Sequence, residues 1–339
     1  MEGIMMRNGT QYAIAVRKPD KEIALEVRPC GKRDGIFWTK VPIIRGVVNF
    51  VDSLVSGISC LMFSASFFME DEEEDKEKAK KQDLSEEEKK ALEAKEKRQE
   101  NMLLAGTLIF AVALAVLLFM VLPYGISALL GNFIKDQFLL TLIESILRVV
   151  VFIIYLLWIS KLKDIQRTFM YHGAEHKCIN CVEHGMELTV ENVMKSSRMH
   201  KRCGTSFLFY VIIISVIVLM LIQVDSHAMR IVVRLITIPL IAGIAYEIIR
   251  WAGRSDSAVV RVLSKPGMAL QKLTTREPEE DMAEVAIAAV EAVFDWRKFL
   301  RENYGMDIPD KAPEEGPEDN PGNRDLNAPD HEPADGSYE

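Results

Sequence analysis

Apolar and charged residues are sorted into long separate runs along this chain. "MLLAGTLIFAVALAVLLFMVLP" (102–123) and "FLFYVIIISVIVLMLIQV" (207–224) contain no charge. Each is long enough for a helix to cross a hydrocarbon core of about 30 Å. Stretches 138–160 and 231–249 read the same way, although the first carries Glu144 and Arg148 and the second Arg234 and Glu247. A fifth apolar stretch, 46–69, holds Asn49, Asp52 and several Ser and Gly, each costly at the middle of a bilayer. It reads as a re-entrant or interfacial helix. The pattern predicts an all-α polytopic membrane protein with about four transmembrane helices, the helix at 46–69, a small N-terminal β-hairpin and cytosolic helices.

The polar runs fill in the rest. "QYAIAVRKPDKEIALEVRP" (11–29) alternates apolar and polar residues on both sides of Pro19-Asp20, which predicts a hairpin within a cytosolic segment 1–45. Residues 70–101 are almost entirely Glu, Asp, Lys, Arg, Ala and Gln, with Glu and Lys four apart as at Glu86 and Lys90, and predict a solvated helical spacer. The membrane domain covers 102–250 and carries a polar loop, 161–206. Residues 251–305 predict cytosolic C-terminal helices, including an amphipathic one over 279–304. The Pro-rich and acidic remainder, 306–339, predicts a disordered tail.

Charge sets the orientation. Segments 1–47, 70–100, 161–206 and 250–339 hold nine, nine, eight and eleven Lys and Arg of the 41 in the chain. Loops 124–137 and 225–230 hold only Lys135 and Arg230. Basic residues mark the cytoplasmic side, so both termini are expected there, in a multi-pass protein of the plasma (inner) membrane. No basic stripe with interleaved aromatics is present, which argues against nucleic acid. The segment Met1–Arg45 is polar and mixed, so no signal peptide is expected. The five cysteines have no disulfide-framework spacing.

Chemistry concentrates in "YHGAEHKCINC" (171–181). His172 and His176 are four apart and share a helix face, with Glu175 between them. The string H-x-x-E-H is the inverted zincin order. There two imidazoles hold zinc and the glutamate serves as base toward a water that the metal acidifies to about pH 7. A third ligand is needed. His200 is the first choice, because the chain leaves the interface after Gly185 and returns to it before Phe207; Cys203 is the second. Glu183, Glu191 and Glu247 are read as residues that orient the ligands or stand in for one. A closed zinc site on Cys178, Cys181, His200 and Cys203 competes with this open one, since C-x₂-C followed by H-x₂-C has structural zinc spacing. The plain alternative is a juxtamembrane helix with hydrated histidines. Glu144 and Arg148 read as an intramembrane pair that neutralises itself.

Several segments, among them "VPIIRGVVNFVDSLVSG" (41–57), "YHGAEHK" (171–177), "ELTVENV" (187–193), "HKRCGTSFL" (200–208), "IAGIAYEIIR" (241–250) and "LTTREPEEDMAEVAIAA" (273–289), resemble the YqhQ-like family of bacterial integral membrane proteins, predicted metal-dependent enzymes. The resemblance covers about residues 1–300. It implies that the region of His172, Glu175, His176, His200 and Cys203 is the family's site. Cys178 departs from that pattern, in which a hydroxyl residue is usual, and this favours the open site over the closed one.

The leading expectation is a membrane-embedded metal-dependent hydrolase with its site at the cytoplasmic face, zinc as cofactor, Glu175 as base, and peptide hydrolysis by analogy with metallopeptidases. The alternatives are a scaffold or assembly protein with a structural metal, and a transporter using Glu144, Arg148, Arg234 and Glu247. The expected partners are the lipid bilayer and proteins recruited by the charged spacer and C-terminal region.

Overall fold

The computed structural model describes residues 2–30, 41–81, 86–201, 203–222, 227–252, 255 and 257–309, with the backbone alone for most of 68–104. The chain is mostly helical, with a small three-stranded sheet at its start. Strands β1 (Gly3–Asn8), β2 (Gln11–Arg17) and β3 (Ile23–Pro29) pair antiparallel in that order. The expected hairpin is β2–β3, with Gln11 opposite Pro29 and Arg17 opposite Ile23. The first strand, which the alternation at 11–29 did not announce, adds to its other side.

The middle strand is buried on both faces. Tyr12, Ile14 and Val16 pack with Cys60, Phe63 and Phe67 of α1 (Ile44–Lys81). The alternation of a strand sends Ala13 and Ala15 to the other face. Both are completely buried, and α10 (Glu280–Val293) packs on β1 and β2. Two apolar faces on β2 need two covers, and the two helices supply them.

Residues 46–69 do not turn back on themselves. They lie within α1, one unbroken helix, and Ile44–Phe67 is long and apolar enough to cross a membrane. The charged segment is helical up to Lys81 and again from Glu86 in α2 (Glu86–Val116). Residues 82–85, the tail 310–339, and the side chains of Glu86, Lys90 and Arg234 lie outside the described residues.

Helix α2 runs through a π-helical turn, Leu117–Val121, into α3 (Leu122–Leu130). The ring of Pro123 clashes with a regular ladder four residues back and brings no N–H, so the helix widens ahead of it instead of ending. The turn expected at 124–137 is therefore shorter, and α4 (Gln137–Ile159) follows with Asp136 capping its first turn through Leu139 N. Three further helices, Ala105–Leu130, Gln137–Ile159 and Leu235–Ala252, are long and apolar enough to cross. The latter is part of α8 (His227–Ala252). Helix α7 (Gly204–Leu221) is apolar but shorter, and packs on α8 through Tyr210, Ile214, Ile241 and Ala245. Exposed apolar side chains such as Phe110, Ile154 and Ile236 cover the outer surfaces.

The polar loop folds as α5 (Lys163–Glu183) and a short α6 (Val190–Lys195). Helix α5 does not continue from the span: the ladder breaks at Ser160–Leu162, where Arg276 and Gln166 side chains bond the released Ser160 carbonyl. It ends as expected at Gly185, whose φ of 72° suits the left-handed cap. Gly185 N donates to Val182 O and Met186 N to Cys181 O, the paired bonds of a Schellman end. Thr189 caps α6, receiving Asn192 N. Helix α9 (Ala258–Thr274) packs on α7 and α4. The amphipathic stretch 279–304 divides at an extended Phe294 into α10 and α11 (Trp296–Tyr304). Among the described residues, 297–309 belong to a separate unit, in which Arg301 bonds Ile308 O.

Candidate metal centre

One face of α5 carries His172, His176, Lys177, Asn180 and Cys181, and every one of these side chains meets backbone of another segment. Lys177, although buried, has its Nζ on Met194 O at 2.9 Å and Ser196 O at 2.8 Å, and on the Glu277 carboxylate at 2.9 Å. Asn180 donates to Ser197 O and Met199 O. These bonds strap residues 194–200 across α5 and so fix where the chain re-enters α7. Buried donors need partners, and here the partners are carbonyls that no helix or sheet ladder uses.

The strap brings three ligand types together. A nitrogen of His172, a nitrogen of His176 and the Cys203 sulfur lie within 4.8 Å of one another. The two rings are 4.4 Å apart between centroids. His172 Nδ1 is 2.8 Å from Thr274 O, and His176 Nδ1 is 2.7 Å from Arg198 O. A carbonyl only accepts, so each Nδ1 carries the proton and each Nε2 presents a lone pair. His172 Nε2 lies 3.1 Å from Cys203 Sγ, where the thiol donates. Fixing the tautomer from behind in this way is what metal-ligating histidines need.

The approach of the Thr274 segment depends on Gly173. A methyl group there would sit 2.0 Å from Arg276 O. Arg276 N in turn donates to Phe169 O at 2.9 Å. The glycine inside the motif is thus a contact between helix and crossing chain, and its presence mid-helix was the available sign of a close approach.

Glu175 is partly buried, and among the described residues no hydrogen-bond or ion-pair partner holds its carboxylate. Burial pushes its pKa up, and the neighbouring His172 opposes this. His200, the first choice for third ligand, is buried beside His176 with ring centroids 5.8 Å apart. Its Nε2 is 3.1 Å from the Glu183 carboxylate, and its backbone exchanges two bonds with the buried Gln271 side chain. Of the two choices, Cys203 is the one in the cluster. Cys178 and Cys181 are buried outside it. The Cys181 thiol donates toward Glu187 O at 3.3 Å, and burial pushes its pKa up to about 11; burial raises that of Cys178 as well. Glu191 is exposed and paired with Lys195 at 2.6 Å. Glu247 binds Arg45 and the Ile43 N–H, joining α8 to the start of α1. Glu144 and Arg148 pair at 3.0 Å, and Arg148 also donates to Ser215.

Sequence reasoning missed a second cluster on α5. Glu2 accepts from Arg167 at 2.5 and 2.6 Å and from the Tyr171 hydroxyl at 2.9 Å. Burial acts to raise the Glu2 pKa, and the bonds from Arg167 and Tyr171 outweigh it, leaving the value lowered. Tyr171 is raised by burial and by Glu2. Arg17 reaches Asp281 O and Glu284 on α10. The N-terminal sheet is thereby locked to the helix that carries the histidines.

Residues 41–296 match the family described as a protein of unknown function, DUF1385. The chain belongs to that family. It is 32% identical over 293 residues to the uncharacterized protein YqhQ of Bacillus subtilis (strain 168), covering 85% of this chain and 88% of the relative. No solved structure matches. The match to DUF1385 takes in the whole of the His172, His176 and Cys203 cluster, the strap, and the Thr274–Arg276 crossing.

Proposed function

We propose that this protein is a metal-dependent hydrolase working at the cytoplasmic surface of the plasma membrane. The carrying observation is the pair of Nδ1 bonds, His172 to Thr274 O and His176 to Arg198 O, which leave two Nε2 lone pairs beside one cysteine sulfur. Two imidazoles and a thiolate are a donor set suited to zinc; His172, His176 and Cys203 would hold the ion, and three protein ligands would leave room for substrate or water. A zinc ion bound there supplies Lewis acidity and acidifies a water at neutral pH. The chain's own part is to hold the ligand rings in one tautomer, to keep Cys203 at the mouth of α7, and to offer the unbonded Glu175 carboxylate as proton acceptor. The bonds within reach of such a site are peptide and lipid-ester bonds.

The same reading puts the sheet, α5 and α10 on the cytoplasmic side and lays the first part of α1 along the membrane surface. Contacts from Asp52 to Phe67 support it, since that length of helix is packed on the sheet. The charged spacer and the C-terminal region are left to meet protein partners.

A second reading is a structural metal. His200 is near enough to His176 that a turn away from Glu183 would fill the fourth position, giving a closed site in a scaffold protein. Zinc-edge X-ray absorption on the purified protein separates the two. One sulfur with two imidazoles, counted by their outer-shell scattering, and one further light atom support the enzyme; one sulfur with three imidazoles supports the scaffold. Glu175→Gln is the functional arm: metal retained with loss of complementation in a deletion strain is expected, and full complementation would remove Glu175 from any chemistry.

A further inference from the structure

The chain from His200 to Leu208 touches two cavities of opposite character. His200 and Lys201 line an open polar cleft of about 510 Å³, together with Asn180, Glu183 and Ser255. Six residues on, Phe207 and Leu208 line a second cavity of about 320 Å³ among α4, α7, α8 and the π-helical turn. Both volumes fall in the roughly 300–1,000 Å³ range of ligand sites. Cys203 stands between the two stretches, where His172 and His176 meet it.

The second cavity is apolar except at Arg148, Ser215 and Thr237. Arg148 and Ser215 are bonded to each other, and Arg148 to Glu144, so they close a floor. From Phe207 to Ser215 is eight residues of α7, about 12 Å at 1.5 Å per residue. That is close to one leaflet, half of a hydrocarbon core of about 30 Å. The upper wall is Phe50 of α1 stacked on Phe207 at 5.3 Å. The lower wall includes Phe119 and Met120, which the π-helical turn supplies.

We infer that this cavity holds one hydrocarbon chain of a membrane lipid and that the polar cleft holds the same lipid's head. The substrate class is then an amphiphile whose ester linkage lies at the His172, His176 and Cys203 cluster. The chemistry rests on the hydrolase reading; occupancy of the cavity does not. Hydrolysis breaks the acyl C–O bond, places the water's hydroxyl on the acyl carbon and gives its proton to the departing alcohol. A peptide strand fits the cavity poorly. It would bring a donor and an acceptor per residue against walls that are apolar except at Arg148, Ser215 and Thr237, too few polar groups to satisfy a backbone where water is excluded.

The test uses the full-length protein in nanodiscs of phosphatidylethanolamine and phosphatidylglycerol, doped with a phospholipid carrying a diazirine on one acyl chain. After irradiation, labelled peptides are mapped by mass spectrometry in the wild type, in Glu175→Gln, and in Ala242→Trp and Val211→Trp, which fill the cavity. Label concentrated on 207–215 and 237–242 is expected, equal in Glu175→Gln and about tenfold lower in either tryptophan variant. Label spread evenly over outward residues such as Leu114, Ile154 and Ile236, unchanged by the tryptophans, would overturn the lipid site. So would displacement of the label by an added apolar transmembrane peptide at concentrations where free lipid fails to displace it. Cavity labelling with no fatty acid or lysolipid released from zinc-loaded wild type would overturn the hydrolase reading and the substrate assignment that rests on it, while the chain-binding cavity stands.

Discussion

Replacing Gly173 by alanine tests the assembly of the centre at its tightest point. The new methyl group would meet Arg276 O at 2.0 Å, a distance that real Cβ atoms essentially never show below 3.0 Å. The crossing segment must therefore retreat by about 1 Å, because both colliding atoms belong to backbone or are fixed to it. Thr274 O and Arg276 N sit on that segment. Their bonds, to His172 Nδ1 at 2.8 Å and Phe169 O at 2.9 Å, would both stretch beyond useful length. Each is worth about 1 kcal/mol. Overpacking adds about 1–3 kcal/mol, and the better helix propensity of alanine returns about 1 kcal/mol. The balance is a loss of roughly 2–4 kcal/mol from these terms. Loss of the partner behind His172 should weaken metal binding about 10- to 100-fold. The assay is zinc competition against a chromophoric chelator, with thermal unfolding alongside. Gly57→Ala, on α1 with nothing within 4 Å of the added methyl, is the control and should be neutral or slightly stabilising. A Gly173→Ala protein that keeps wild-type zinc affinity and melting temperature would refute the reasoning.

Cys203→Ser should lower zinc affinity by at least about tenfold, whereas the double change Cys178→Ser and Cys181→Ser should leave stoichiometric zinc; atomic absorption reads both. His172→Ala with His176→Ala should abolish the metal, and retained zinc in that protein would place the site elsewhere. Glu2 has a lowered folded pKa, so its contribution is fully present above its ordinary value of 4.5 and is lost as pH falls through the lower folded value; Glu2→Gln should flatten the acid limb of a stability-versus-pH curve, and an unchanged limb would show that the Arg167 and Tyr171 bonds do not couple the sheet to α5. If the start of α1 lies along the membrane, a cysteine at Thr10 and one at Ser85 should both resist an impermeant thiol reagent in intact cells; labelling at one position and not the other would show that α1 crosses, and labelling at both would reverse the orientation.

Three of the long apolar helices, Ala105–Leu130, Gln137–Ile159 and Leu235–Ala252, and the helix of His172 and His176 were legible because their signals are local, whereas Ile44–Phe67 is also long and apolar enough to cross and 207–224 yields the shorter α7. Uncharged runs of apolar residues declare long apolar helices, and His172, Glu175 and His176 declare one helix face by spacing alone. Gly185 and Thr189 were readable as stop and cap because the chemistry of helix ends is fixed within a few residues. What stayed hidden depends on partners far along the chain. Thr274 O and Arg198 O are backbone atoms, with no residue type to betray them. The choice between His200 and Cys203 turned on Glu183 and Gln271, which engage His200 from α5 and α9. The strand β1 carries apolar residues on both faces and so shows little alternation. The π-helical turn before Pro123 let one helix pass where a proline suggested an end.

The contacts of α1 decide how its apolar surface is used. Asp52 bonds Arg7 at 3.0 Å, Ser59 accepts from Arg28 at 2.8 Å, and Cys60, Phe63 and Phe67 pack under Tyr12, Ile14 and Val16. From Asp52 to Phe67 is fifteen residues, about 22 Å of helix, so most of this segment lies against a sheet that Glu2 and Arg17 tie to α5 and α10. A helix crossing the bilayer would carry that sheet, with its exposed Lys18–Asp20 and Glu22 turn, into hydrocarbon, where ionised side chains are expensive. Val51, Leu54, Val55, Ile58, Leu61 and Met62 are all exposed. They recur at the three- and four-residue spacing of one helix face, while Asp52 and Ser59 look the other way. A helix with one face on a polar domain and an apolar stripe outside has the pattern of an interfacial helix, which is the placement proposed above for α1. Phe50 forms one wall of the apolar cavity at Phe207, and Arg45 ties the helix to the end of α8 through Glu247. The same element covers the sheet on one side and supplies a wall of the apolar cavity at Phe207 on the other.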